Sequence, residues 1–221
     1  NEITAIARHP YLRHPTATLP DLPDEQAHFN RIFRLLRTTT HVDFSFYKPT
    51  TLRRRIARRM LVHNSPSVAD YLVLLESQPA ELAFLYRDLL INVTHFFRNP
   101  EAFEDMKDKI FLALLHERPA DSPLRVWIPG CSTGEEVYSI AMCLLEAAGP
   151  RLHGPAVQIF GTDVSHEAIE RARTGVYLDG IASDVSPERL ERFFVKVEGG
   201  YQISKEVRDL CIFARQDITK D

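Results

Sequence analysis

Residues 125–142 read RVWIPGCSTGEEVYSIAM. An apolar run at 126–128 enters a loop with Gly130 and Gly134, Glu135 and Glu136 follow, and a helix-period apolar pattern then runs to about residue 148. Strand, glycine turn and helix in that order form half of a strand–helix–strand unit, and the pattern recurs downstream. Residues 157–162 read as a strand. Residues 165–174 read as a helix capped by Ser165, with Ala168, Ile169 and Ala172 inward, and 211–215 read as a further strand. Alternation of this kind commits a chain to an α/β fold with a parallel sheet and right-handed crossovers. Residues 187–194 read as a short helix, and 194–203, turning on Glu198-Gly199-Gly200, as a β-hairpin.

Upstream the period changes to that of helices. Residues 28–38 carry Phe29, Ile32, Phe33, Leu35 and Leu36. Thr50 or Thr51 caps a helix reaching Met60, and Ser65 with Pro66 starts one carrying Val68, Tyr71, Leu72 and Leu75. Pro79 opens another with Leu82, Leu85, Leu89 and Leu90. Asn99-Pro100 opens one more, with Phe103, Met106 and Ile110 inward. The expected organisation is a Pro-rich linker over 1–27, a helical domain over 28–116, and the α/β domain over 117–221, with the hairpin subdomain at about 187–210 inside it. The break is ERPADSP at 117–123. The linker carries Pro10, Pro15, Pro20 and Pro23 and suggests a piece of a longer protein.

Composition removes several classes. A net charge of −3 gives no global polyanion surface. Three cysteines without a CxxC spacing suit neither a disulfide framework nor a zinc site, and no metal is expected. No run approaches the roughly 18 apolar residues of a membrane span, so no membrane insertion is expected.

Ligands of open α/β sheets bind at the carboxyl ends of the strands, which places the loop 129–134. A phosphate-cradling loop would need Lys-Ser/Thr after its last glycine, where this chain has Glu135-Glu136. A dinucleotide site would put pyrophosphate at the same helix start, where two carboxylates repel it. S-adenosylmethionine suits the residues better: it has no phosphate, and its ammonium and sulfonium attract a glutamate. Gly130 and Gly134 let backbone approach the ligand. Asp163, ending the second strand, can accept from two ribose hydroxyls. Asp217, ending the third, can accept from an adenine amino group, with the Ile218 amide donating to the ring. Each has a bland alternative: helix-dipole charge for Glu135 or Glu136, and a turn aspartate for Asp217.

Five stretches together resemble the CheR-type chemotaxis receptor methyltransferases: FSFYKPTTLRRRIARRM (44–60), NVTHFFRNPEAF (92–103), RVWIPGCSTGEEVYSIAM (125–142), FGTDVSHEAIERARTGVY (160–177) and FARQDIT (213–219). The resemblance covers about residues 28–221. It implies an N-terminal helical domain followed by a class I, Rossmann-like methyltransferase domain with a small β-hairpin subdomain. It also implies a cytoplasmic enzyme that methylates glutamates on the cytoplasmic helices of chemoreceptors, converting S-adenosylmethionine to S-adenosylhomocysteine. In this chain it assigns Asn92, Thr94 and Arg98 as cofactor contacts, with Arg98 nearest the transferred methyl and so catalytic. Gly130 and Glu135 (Glu136 as the alternative), Asp163, Asp217 and Ile218 complete the site. On a helix, positions 94 and 98 would share a face.

The run LRRRIARRM puts Leu52, Ile56 and Met60 on one face and Arg53, Arg54, Arg55, Arg58 and Arg59 around the rest. Docking of glutamate-rich receptor helices is the reading the resemblance favours; a solvated or purely structural face is the alternative. Nucleic acid is not expected, because interleaved aromatics are absent. The resemblance further implies a sheet of order 3-2-1-4-5-7-6, of which only the first three strands are present. That leaves the edge of strand 1 open to association, and weak turnover is expected of residues 1–221 alone. The rival function is a non-catalytic cofactor- or partner-binding module of a hybrid sensory protein.

Overall fold

The computed structural model describes residues 23–90, 94–117, 122–149 and 157–220. Asn92 and the linker through residue 22 lie outside the described residues. The chain divides into two compact units, Asn1–Ile91 and Asn92–Asp221.

Among the described residues the first unit carries helices and no strand: α1 Pro23–Thr40, α2 Pro49–Val62, α3 Val68–Ser77 and α4 Pro79–Leu89. α1 packs on α3 and α2 on α4. The periodic residues Phe29, Ile32, Leu36, Leu52, Ile56, Met60, Tyr71, Leu75 and Leu85 form the core. Several starts differ from expectation. α1 begins at Pro23, inside the expected linker, because proline suits the first turn, where no N–H partner is needed. Pro49, not Thr50 or Thr51, sets the first turn of α2, after Lys48 and without a side-chain cap. Ser67 caps α3 by accepting from the Asp70 N–H, while Ser65 is buried upstream.

In the second unit α5 Pro100–Asp105 runs through a π-helical turn, Met106–Phe111, into α6 Leu112–Glu117. The extra residue of a π turn rotates the following side chains. Phe111 is therefore buried and Ile110 stands half exposed, reversing the expected order. α5 and the π turn pack on α7, Glu135–Ala148. The helix at 100–117 thus belongs with the α/β unit, and the division falls at 91/92 rather than at 116/117.

β1 Leu124–Pro129, β2 Val157–Asp163 and β6 Cys211–Arg215 form a parallel sheet of order β1-β2-β6. Trp127, Phe160 and Ile212 lie in register on one face; Ile128, Gly161 and Phe213 lie on the other. The second face is covered: α7 and α8, His166–Thr174, pack over it, and the Tyr138 hydroxyl donates to Ala172 O at 2.7 Å. The first face leaves Trp127 56% and Ile212 43% exposed. β1 pairs only with β2 among the described residues.

The expected hairpin is part of a larger sheet. β4 Phe194–Val197 and β5 Gly200–Ile203 follow α9, Pro187–Phe193, and β3 Val176–Leu178 adds antiparallel to β5, giving the order β3-β5-β4. A three-residue strand after a helix is too short for periodicity to show. α10, Lys205–Arg208, links β5 to β6. Gly200 faces the β3 backbone, where an added Cβ would sit inside the van der Waals shell of the Tyr177 carbonyl oxygen. Gly200→Ala is therefore expected to cost at least about 3 kcal/mol, the upper end of overpacking penalties, in a urea titration. An unchanged midpoint would mean that β3 can move aside freely.

Candidate functional site

The loop 130–134 is shaped by three left-handed residues, Gly130 (φ 69°), Ser132 (φ 50°) and Gly134 (φ 96°). Gly134 is required twice over, since a Cβ there would lie 2.9 Å from the Ala172 Cβ of α8. At Gly130 a Cβ would meet nothing within 4 Å, so the loop presents open space on that side. The end of β2 holds the loop. The Cys131 N–H donates to Thr162 O at 3.0 Å, and the Ser132 N–H donates to Asp163 Oδ2 at 2.9 Å. The other oxygen, Asp163 Oδ1, accepts from the Ser165 N–H at 2.8 Å. Asp163 is therefore a clasp between loop and helix start, and each oxygen keeps a second lone pair for a further donor.

Glu135 opens α7 and is buried, while Glu136 is exposed. Both Glu135 oxygens accept from the Thr133 hydroxyl, at 2.9 and 2.7 Å. No lysine or arginine pairs with it among the described residues. Burial consequently pushes its carboxyl above the ordinary range, against the Thr133 hydrogen bond and the nearby His95. An exposed dipole-complementing glutamate would not be placed so; Glu136 is.

The stretch 94–99 is a turn, not a helix, so Thr94 and Arg98 do not share a helical face. Phe97 has φ 47°, which breaks helical continuation. Phe96 and Phe97 are buried, while Arg98 is exposed. The Phe97 N–H donates to Ser139 Oγ at 3.1 Å, which donates in turn to Glu135 O at 2.7 Å. The turn is thereby fastened to the first turn of α7, beside Glu135.

Asp217 behaves as a turn aspartate. Its Oδ1 accepts from the Thr219 N–H at 3.1 Å and hydroxyl at 2.7 Å, and its Oδ2 pairs with Lys220 at 3.2 Å. Burial pushes this carboxyl upward, but those donors outweigh it and hold it below its ordinary value. Ile218 beside it is exposed, and the Gln216 N–H donates to Asp163 O at 2.9 Å, bringing this strand end next to Asp163. Cys131, Cys143 and Cys211 are all pushed up to about 12 by burial, so none offers a thiolate nucleophile near neutral pH.

Ser132, Thr133, Ser139 and Tyr177 carry no signal of a site role in the sequence. Tyr177, on β3, donates its hydroxyl to Thr133 O at 2.7 Å and packs edge-on to Phe96 at 4.9 Å, linking the small sheet to the loop. Only the absence of a charge at those positions hinted at burial.

Residues 92–221 match the family described as CheR methyltransferase, SAM binding domain. The chain belongs to the CheR methyltransferase family. The CheR all-alpha domain matches residues 27–90, so the two CheR matches meet close to the structural division. An uncharacterized 104.1 kDa protein of Rhodobacter capsulatus is 41% identical over 191 residues, covering 86% of this chain and 20% of that protein. The chemotaxis protein methyltransferase of Klebsiella aerogenes is 31% identical over 189 residues, covering 85% of this chain and 62% of its own length. That of Escherichia coli K12 is 31% identical over 185 residues, covering 82% and 61%. This CheR chain thus spans about three-fifths of the named methyltransferases it matches.

In this CheR chain the basic helix α2 is only partly free. Arg59 donates to both Glu81 oxygens, Arg55 to Asp88 O, and Arg53 to Gln26 while lying 5.2 Å from the centre of the Phe29 ring. These three arginines hold the helical unit together, against the expectation of a five-arginine docking face. Arg54 and Arg58, one turn apart, are exposed. Among the described residues no helix is long and apolar enough to cross a membrane.

Proposed function

We propose that this chain binds S-adenosylmethionine at the loop 130–134 and, within the longer protein, serves cytoplasmic methyl transfer to glutamate side chains of chemotaxis receptors. The observation that carries this is Glu135: a buried carboxylate without a lysine or arginine partner among the described residues, next to a glycine opening and one strand end from Asp163. That donor set suits a ligand with an ammonium, a ribose and no phosphate. The family match and the relatives named chemotaxis protein methyltransferase support the same reading.

When bound, the cofactor supplies an electrophilic sulfonium methyl group, which a glutamate carboxylate takes as a methyl ester, leaving S-adenosylhomocysteine. Glu135 balances the cationic end, Asp163 accepts from the ribose hydroxyls, and the Ile218 N–H donates to the adenine ring. The Asp217 carboxylate, engaged by Thr219 and Lys220, is the weaker part of that adenine assignment. Thr94 and Arg98, with Asn92 beside them in sequence, bound the methyl end, and Arg98 holds the attacking carboxylate. A glutamate carboxylate is already ionised near neutral pH, so this chain needs no general base; its contribution is positioning and electrostatics. Arg54 and Arg58 form the cationic face offered to acidic receptor helices.

Calorimetric titration with S-adenosylhomocysteine tests the reading, with Glu135→Gln beside the wild type. Loss of a charge-assisted hydrogen bond is expected to weaken binding about tenfold or more. The ligand-free variant is expected to melt higher at neutral pH. The sign follows from the raised carboxyl: its stabilising effect is full only below the ordinary glutamate range and is lost as pH rises through the folded value. Glutamine removes that penalty. A variant that binds as well as wild type would sink the assignment of Glu135.

A further inference from the structure

We infer that Arg189 is a positioning residue, whose guanidinium fixes the turn 94–99 and with it the placement of Thr94 and Arg98 beside Glu135. The inference rests on the cofactor reading above.

The turn needs holding. Phe97 sits at φ 47°, a region that L side chains enter only when the surroundings over-determine it. One hydrogen bond, from the Phe97 N–H to Ser139 Oγ, and the edge-on contact of Phe97 with Phe103 at 5.4 Å hold it on two sides. Arg189 adds a third contact: its guanidinium carbon lies 4.1 Å from the centre of the Phe97 ring. The same group donates through Nε to Glu146 Oε1 at 2.7 Å and through Nη2 to Glu146 Oε2 at 2.8 Å and Glu104 Oε1 at 2.9 Å. One side chain therefore ties α9 to α7 and α5 while lying on the one strained residue of the turn.

The chemistry demands arginine. A planar fork can grip a carboxylate with two parallel bonds and still stack flat on an aromatic ring; an ammonium can do neither. Lys107, which also pairs with Glu104 and lies 3.8 Å from Glu146, supplies one positive charge to the two acids, and Arg189 supplies the other. Charge balance asks for a second cation but does not set it over an aromatic ring. Its position over Phe97 is the feature left to explain, and Phe97 immediately precedes Arg98.

The test uses the 221-residue chain with Arg189→Lys and Arg189→Met, each checked for folding by thermal melting. Hydrogen exchange at the Phe97 amide is the first readout. About tenfold faster exchange is expected in Arg189→Met, with unchanged rates for amides in the middle of α7, and Arg189→Lys should not restore protection. The second is S-adenosylhomocysteine affinity in a double-mutant cycle with Arg98→Ala. Arg189→Met alone is expected to weaken binding about tenfold, and much less in the Arg98→Ala background, because residues acting through one another are non-additive. Unchanged exchange at Phe97 in a folded variant overturns the inference, as does an affinity loss that adds in full to that of Arg98→Ala. A wild type that fails to bind overturns the cofactor reading instead, and Phe97 exchange then decides alone whether Arg189 holds the turn.

Discussion

Glu81→Ala is expected to destabilise the helical unit by about 3–5 kcal/mol, the cost of removing one partner from a buried ion pair. Glu81 is 3% exposed and its two oxygens serve three donors: the Arg59 guanidinium, the Tyr71 hydroxyl at 2.6 Å and His63 Nε2 at 2.7 Å. Without it, the Arg59 guanidinium keeps no carboxylate nearer than Asp88 at 3.8 Å among the described residues, and the buried Tyr71 hydroxyl loses its acceptor. Urea titration followed by far-ultraviolet circular dichroism measures the loss. The single tryptophan, Trp127, lies in the other unit, and its fluorescence tells whether the loss is confined to the helices. The same variant predicts a pH dependence. Burial pushes the Glu81 carboxyl upward, but the hydrogen bonds from Arg59, Tyr71 and His63 outweigh it and hold it below its ordinary 4.5. A lowered carboxyl contributes stability that is present above the ordinary value and lost as pH falls through the folded one. Wild type should weaken below about pH 4.5, and Glu81→Gln should be weaker at neutral pH yet flatter in that acid window. An equally steep acid loss in Glu81→Gln would assign the dependence to other carboxylates.

The Glu81 cluster also marks where sequence reading stopped. The periodicity of α2 placed Leu52, Ile56 and Met60 in the core, because apolar spacing reports directly on burial. It could not tell a docking arginine from a structural one, since the partners of Arg53, Arg55 and Arg59 lie on other segments of the unit, 22–33 residues away for Arg55 and Arg59. In the α/β half the strands β1, β2 and β6 and most helix limits were legible for the same reason: the glycine loop and the alternating periods are local signals, whereas the spatial order of those strands was implied by the resemblance alone. β3 was not, being three residues whose strand character comes from pairing with β5. At the candidate site, the positions of Glu135 at the start of α7 and Asp163 at the end of β2 were legible, because the glycine turn and the strand period that set them are local. The left-handed turn at Phe97 was not, because no local preference favours it; Ser139, Phe103 and Arg189 impose it. Asp217 shows the converse, a residue whose motif position pointed to a ligand and whose oxygens serve Thr219 and Lys220.

The largest effect on the proposed ligand is expected from Asp163→Ala. In the proposed complex this carboxylate accepts from two ribose hydroxyls, and hydrogen bonds to a charged acceptor contribute about 1.5–3 kcal/mol each. Their loss corresponds to a drop in S-adenosylhomocysteine affinity of about 100-fold or more. The clasp adds a second effect, because Ser132 and Ser165 lose the acceptors of their N–H groups and the loop 130–134 is no longer pinned to β2. Affinity alone cannot separate these contributions; a 2′-deoxy ligand does. If Asp163 reads the ribose, wild type must prefer the natural ligand to its 2′-deoxy form, and Asp163→Ala must lose that preference along with its affinity. If Asp163 only clasps the loop, the variant binds both forms weakly and in the wild-type ratio. Melting of the ligand-free chain should fall either way, so it is the ratio of the two affinities, not the loss of binding, that assigns the ribose to Asp163.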